Sequence, residues 1–224
     1  MSSLISATAL FLGMHWIISG SPLRDPIVAA IGEKPFKILF SITIAGSITW
    51  MSFAYGDAEY RPTWGTAEGL KPVSLVLIAL SLIMIFLGVF SNNANTNMSA
   101  QPDEIEVRGV VRITRHTAVF GLGLWGLGHF IVNGDVASHI FFGSFAFQGL
   151  VAPLNMDRKF RRRYGEAWEQ YCAKTSYIPF GAILSGRNRL MLSEINWIAS
   201  LGGVLVFALF FYFHESWFGV AAFV

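Results

Sequence analysis

Fourteen of the sixteen lysines and arginines lie in, or at the rim of, three of the five polar connections between six apolar segments. The segments cover 4–20, 36–55, 72–90, 117–132, 136–154 and 195–213. Each is near the ~20 residues a helix needs to cross hydrocarbon, with the first and fourth short. Only Arg61 and Lys71 are left for the opposite side. Basic residues collect on the cytoplasmic side of membrane proteins, so the asymmetry puts the first, third and fifth connections in the cytoplasm. Both termini are then expected outside, periplasmic in a bacterial inner membrane. An odd number of helices would destroy the asymmetry. The expected fold class is therefore all-α: a polytopic membrane helix bundle of about six transmembrane helices in one domain spanning 1–224.

Composition agrees. Hydrophobic residues make up 54% of the chain and charged residues 13%, about half the charged share of a soluble domain. The basic balance is accounted for by topology, so nucleic acid is not an expected partner; the lipid bilayer is. A single cysteine, Cys172, excludes an internal disulfide and a thiolate metal cluster. The start of the chain has no basic stretch and no A-x-A site, so its first apolar segment is expected to be retained as a helix.

The stretch 115–135, RHTAVFGLGLWGLGHFIVNGD, carries most of the chemistry. An ionisable side chain within such a segment is a functional candidate because it is costly to place in a bilayer. His116 and His129 are thirteen residues apart, which at ~100° per residue sets them on nearly opposite faces of one helix. Gly121 and Gly128 share a third face, where a neighbouring helix can approach closely. The NGD turn at 133–135 makes helices four and five an antiparallel hairpin, with Asp135 the expected N-cap of the fifth. In the last connection Phe160, Tyr164, Trp168 and Tyr171 recur at helical spacing among Arg158, Lys159, Arg161, Arg162 and Arg163. This reads as a cytoplasmic amphipathic helix on an anionic membrane surface, with phosphate or nucleotide binding by the arginines as the alternative.

Five histidines are the whole stock of good ligands at membrane depth. His214 and His139 lie near helix ends and read as interfacial hydrogen-bonders. His15 and His129 lie deeper and read as ligands. Two imidazoles from different helices, among aromatics and glycine, suit haem iron, since low dielectric and coordination both favour neutral imidazole. Gly126, one turn before His129, is expected to leave room for a flat macrocycle. At ~1.5 Å per residue the segment ends place His15 some 9 Å from the depth of His129, and His116 is displaced similarly the other way. Depth therefore leaves both pairs open, His15 with His129 and His15 with His116.

Five stretches in order, FLGMH, LRDPIVAAIGEKPFKILFS, RHTAVFGLGLWGLGHFIVNGDVAS, RRRYGEAWEQYCAKTSYIPFGAILSGRNRL and FHESWFGV, resemble NnrU-type membrane proteins over nearly the whole chain. The H…GE…F, RH, W-x-x-x-H and YGE…TS-x-IPF patterns are shared with 15-cis-ζ-carotene isomerases. That resemblance implies haem b between two histidines, His15 in FLGMH and His129 in W-x-x-x-H, with His116 as the fallback. It also implies reduction of the iron, release of one histidine and isomerisation of a cis double bond in a carotenoid or another apolar substrate. The NnrU name itself implies a link to nitrogen-oxide metabolism and denitrification. Thr117 stands where the family's RHP motif has proline. A second similarity, to isoprenylcysteine and phospholipid methyltransferases, implies S-adenosylmethionine near Arg115, His116 and the run 158–163. Residues 155–160, NMDRKF, lack the carboxylate pair of those enzymes. A non-catalytic accessory subunit of a membrane complex is the third reading.

Overall fold

The computed structural model describes residues 1–91 and 106–222. Helix α1 (Ser2–Gly13) runs on into a π-helical turn, Met14–Ser19. A short helix α2 (Arg24–Ile31) and Gly32 at φ 88° lead into α3 (Glu33–Gly56). Strand β1 (Pro62–Thr66) precedes α4 (Lys71–Val89), which has a proline in its first turn, where no amide donor is needed. Helix α5 (Thr117–Val132), strand β2 (Asn133–Asp135) and α6 (Val136–Tyr164) follow without a break. Helices α7 (Glu166–Lys174), α8 (Gly181–Leu184) and α9 (Trp197–Phe218) complete the chain.

Among the described residues five helices are long and apolar enough to cross a membrane: α1 with its π turn, α3, α4, α6 and α9. The sixth expected crossing, α5, has 16 residues, or roughly 24 Å of helix, short of the ~30 Å hydrocarbon thickness. It lies between α4 and α6, and its glycines set the spacing on both sides. A Cβ at Gly121 would stand 2.8 Å from the Ser81 carbonyl oxygen of α4, and one at Gly123 2.8 Å from the Gly149 backbone of α6. The backbones thus touch, and Ser74 Oγ donates to the Gly128 carbonyl at 2.8 Å. Small residues do this work in membranes because lipid offers no hydrophobic drive for helix association. The outward faces stay apolar, as Ile38, Leu39, Ile42 and Phe53 on α3 and Ile198, Leu201 and Leu205 on α9 show. Such faces suit hydrocarbon rather than water.

Asp135 caps α6 as expected, accepting from the Ser138 amide at 3.0 Å. The turn itself differs from expectation. It is a strand that pairs antiparallel with β1, Gly65 opposite Gly134, so the second connection is tied to the α5–α6 hairpin. The separate amphipathic helix also differs. Helix α6 runs unbroken from the apolar segment through Arg163 to Tyr164, and the break comes at Gly165, φ 54°. The aromatic stripe does not lie on a lipid surface: Phe160, Trp168 and Tyr171 are buried against Val111 of the third connection. The basic residues Arg158, Arg161, Arg162 and Arg163 remain exposed.

Candidate functional site in the helix bundle

The main core joins α1, α3 and α6 through Leu4, Phe11, Met51, Phe141, Phe142 and Phe145. His15 and His129 sit on two sides of it. His15 is carried by the π turn Met14–Ser19, a rare geometry that recurs at functional sites. Its ring meets Phe11 edge-on, centroids 4.8 Å apart, and Phe40 at 5.3 Å. His129 lies flat on Phe142, centroids 4.7 Å apart and planes 15° off parallel, with Trp125 at 4.7 Å.

The two imidazoles share one local device. Nδ1 of His15 donates to the Phe11 carbonyl at 2.9 Å, and Nδ1 of His129 donates to the Trp125 carbonyl at 2.9 Å. A carbonyl only accepts, so each Nδ1 carries the proton and each Nε2 presents a lone pair. Metal-binding histidines are commonly oriented in this way, by a backbone oxygen holding the other ring nitrogen. Both residues are half-buried, and no described residue hydrogen-bonds either Nε2.

Between the rings lies a relay of aromatics: Phe11 contacts Phe145 at 5.2 Å, and Phe145 contacts Trp125 at 5.3 Å. Helix α6 serves as a ruler of depth. Phe11 and Trp16 bracket His15 and touch Phe145 and Gln148, whereas His129 touches Phe142. Three to six residues of α6 make an offset of roughly 5–9 Å, in line with the gap estimated from segment ends. The room expected beside Gly126 is taken: a Cβ there would stand 2.4 Å from the Ala146 nitrogen. That glycine admits the α6 backbone rather than a macrocycle.

The fallback ligand, His116, is engaged elsewhere. It is 0% exposed, and its Nε2 is 2.7 Å from Asp157 Oδ1. Arg115 Nε donates to the same carboxylate at 3.0 Å, and its Nη2 donates to Oδ2. Burial pushes the His116 imidazole below the usual histidine range against the upward pull of Asp157; an ionised carboxylate only accepts, so Nε2 is the donor. Asp157 is inconspicuous in the chain because it stands alone in NMDRKF; its distance from 115–116 in sequence hides the pairing. Arg115 and His116, the residues expected near S-adenosylmethionine, both turn inward onto it.

The motif-rich last connection serves as a lock on the same end. Arg115 N donates to the Ser176 carbonyl at 3.0 Å, and Thr114 Oγ1 donates to the Tyr177 carbonyl at 2.7 Å. Arg187 Nη1 reaches the carbonyls of Cys172 and Thr175 at 2.9 and 2.7 Å, closing the C-terminus of α7. Arg112 and the Gly109 amide hold Glu194, whose carboxyl they lower to about 2. His139 is clasped between Trp64 of β1 and Phe130, centroids 4.2 and 4.7 Å away. Its buried Nε2 makes no hydrogen bond to a described residue, contrary to the interfacial role expected of it. His214 does behave as an end histidine, donating from Nδ1 to the Val220 carbonyl at 2.7 Å. Among the described residues no three His, Cys, Asp or Glu side chains converge as a metal-ion site. A metal at His15 or His129 would have to bring further ligands of its own, as a porphyrin does.

The family model for the NnrU protein matches residues 3–222. The chain is 27% identical over 189 residues to the chloroplastic 15-cis-zeta-carotene isomerase of Zea mays, covering 82% of this chain and 50% of the relative. It is 29% identical over 174 residues to the enzyme of the same name from Arabidopsis thaliana, covering 75% and 47%. The chain thus spans about half the length of the curated relatives it matches. No solved structure matches it.

Proposed function

From the premise that the chain belongs to the NnrU family, we propose that it is a membrane-embedded isomerase for an extended apolar substrate of the carotenoid kind. In this proposal His15 and His129 would hold a b-type haem. The observation that carries the reading is the matched pair of imidazoles, each with Nδ1 pinned to the carbonyl one turn back and Nε2 left as a lone pair. The donor chemistry fits, since neutral imidazole nitrogen is a ligand that haem iron takes.

When bound, the haem supplies a redox-active iron able to draw electron density from a polyene. The protein's own residues do the rest. The Phe11 and Trp125 carbonyls fix the imidazole tautomers. Phe11, Phe145, Trp125 and Phe142 exclude water and offer ring faces to an apolar chain. The relay of rings between the imidazoles has to part to admit a macrocycle ligated by both. Substrate reaches such a site laterally from lipid, past the apolar outer faces of the helices. The basic end of the bundle is cytoplasmic in this reading.

The optical spectrum of the purified protein tests it. A Soret band with sharp α and β bands on reduction is the expected result. A preparation that is colourless and takes up no added haemin overturns it.

A further inference from the structure

Away from the histidine site, the basic end of α6 forms one wall of a cavity. Lys159, Arg162 and Arg163 line a pocket of about 330 Å³, closed on its other side by Ser19, Ser21, Arg24, Asp25 and Glu33. The far wall is tied together by its own ion pairs. Arg24 Nη2 donates to both oxygens of Glu33 at 2.6 Å, and the guanidinium lies 5.2 Å above the Phe36 ring. Lys37 Nζ is a further 3.3 Å from Glu33, so that carboxylate already has two cations. Asp25 also lines the pocket, 3.9 Å from Arg24, with its side chain 74% exposed.

The near wall has less compensation: Glu33 acts on Lys159 only across the pocket, and the Arg163 guanidinium lies 5.3 Å over the Tyr164 ring. Among the described residues no carboxylate lies within ion-pair distance of Lys159, Arg162 or Arg163. Three cations gathered at the mouth of a pocket that excludes part of the solvent repel one another unless an anion joins them. Ser19, the last residue of the π turn, adds a hydroxyl to the wall, whereas the Ser21 hydroxyl is already spent on the Ile17 carbonyl. Guanidinium forks, an ammonium and hydroxyls are the groups that take tetrahedral oxyanions through charge-assisted hydrogen bonds. The pocket also sits where α1, α3 and α6 pass from apolar to charged sequence, the level of phospholipid headgroups.

We propose that this pocket binds a phosphate group, supplied by an anionic phospholipid headgroup or by a soluble phosphate compound through the same contacts. The inference stands apart from the haem reading and involves none of its residues.

Native mass spectrometry of the full chain in neutral detergent, with added phosphatidylglycerol, measures the lipid arm. Calorimetry with inorganic phosphate measures the soluble arm. One bound phosphatidylglycerol that withstands activation, with no heat from millimolar phosphate, assigns the site to a headgroup. Saturable heat from phosphate with no retained lipid assigns it to a soluble compound. In either arm K159Q and R162Q should each weaken binding about ten-fold or more, as expected for loss of one charged hydrogen bond. R158Q, on an exposed neighbour outside the pocket, should leave it unchanged and controls for general surface charge. Binding in neither arm overturns the proposal. So does equal binding by wild type and a folded K159Q/R162Q variant, verified by an unchanged thermal transition.

Discussion

Replacing Asp157 with asparagine keeps the side-chain volume and removes one charge. Three hydrogen bonds converge on that carboxylate, two from Arg115 and one from His116, in a place where Arg115 is 9% exposed and Asp157 8%. The amide satisfies one of these donors with its oxygen and turns its own N–H groups toward the others. Arg115 keeps its charge, which has left water and loses its counter-charge. Breaking a buried pair from one side costs about 3–5 kcal/mol, roughly two to four decades in the unfolding equilibrium. D157N should therefore unfold at markedly lower denaturant concentration when the detergent-solubilised protein is titrated with SDS and followed by tryptophan fluorescence. The double variant R115M/D157L removes both charges of the buried pair, so it should recover at least half of the loss. If D157N stays within about 1 kcal/mol of wild type, the Arg115–Asp157–His116 cluster is not a structural tie.

Other outcomes rest on the same geometry. H15A and H129A should each abolish a low-spin haem spectrum, while H116A, H139A and H214A keep it; loss in H116A with retention in H129A would reassign the ligands. G149A places a Cβ 2.1 Å from the Gly123 nitrogen and should destabilise the α5–α6 pair by about 1–3 kcal/mol or more. G46A has nothing within 4 Å, and in the same titration it should not destabilise. The Glu194 carboxyl, lowered to about 2, contributes stability that is complete above its ordinary range near 4.5 and fades as pH falls toward 2. The melting temperature of E194Q should therefore vary less between pH 5 and 3 than that of wild type. Reporter fusions after Leu154 should read as cytoplasmic and fusions at either terminus as external; an external reading of the last connection would invert the topology.

Much of the bundle is legible in the chain because membranes reduce folding to a few strong rules. The apolar run 117–132 coincides with α5 to the residue, and Asp135 declares itself as a cap by standing between Gly134 and an apolar run. The pairing of Gly121 and Gly128 with a neighbouring helix is equally direct, and α4 is that neighbour. What sequence hides is whatever depends on distant partners. The spacing of Phe160, Trp168 and Tyr171 reveals a helical face, but only the arrival of Val111 turns that face into a core. Nor does Asp157 look different from any solvated carboxylate until Arg115 and His116 close on it. Trp64 is a plain loop aromatic until β1 lays it over His139. His15 and His129 are visible as deep histidines, whereas their common tautomer is set by helix geometry one turn back.

The π turn that carries His15 bears on how this chain can be compared with its kin. Such a turn is an α-helix that has taken in one additional residue without breaking. In register terms it is an insertion absorbed in place: a single deletion within Met14–Ser19 would restore ordinary winding and leave the flanking helix in register, changing only which side chain of the turn occupies the position of His15. A one-residue gap between FLGMH and the first basic connection therefore changes which way the imidazole points while leaving every later element untouched. Alignments that close such a gap for neatness would pair residues that face different neighbours.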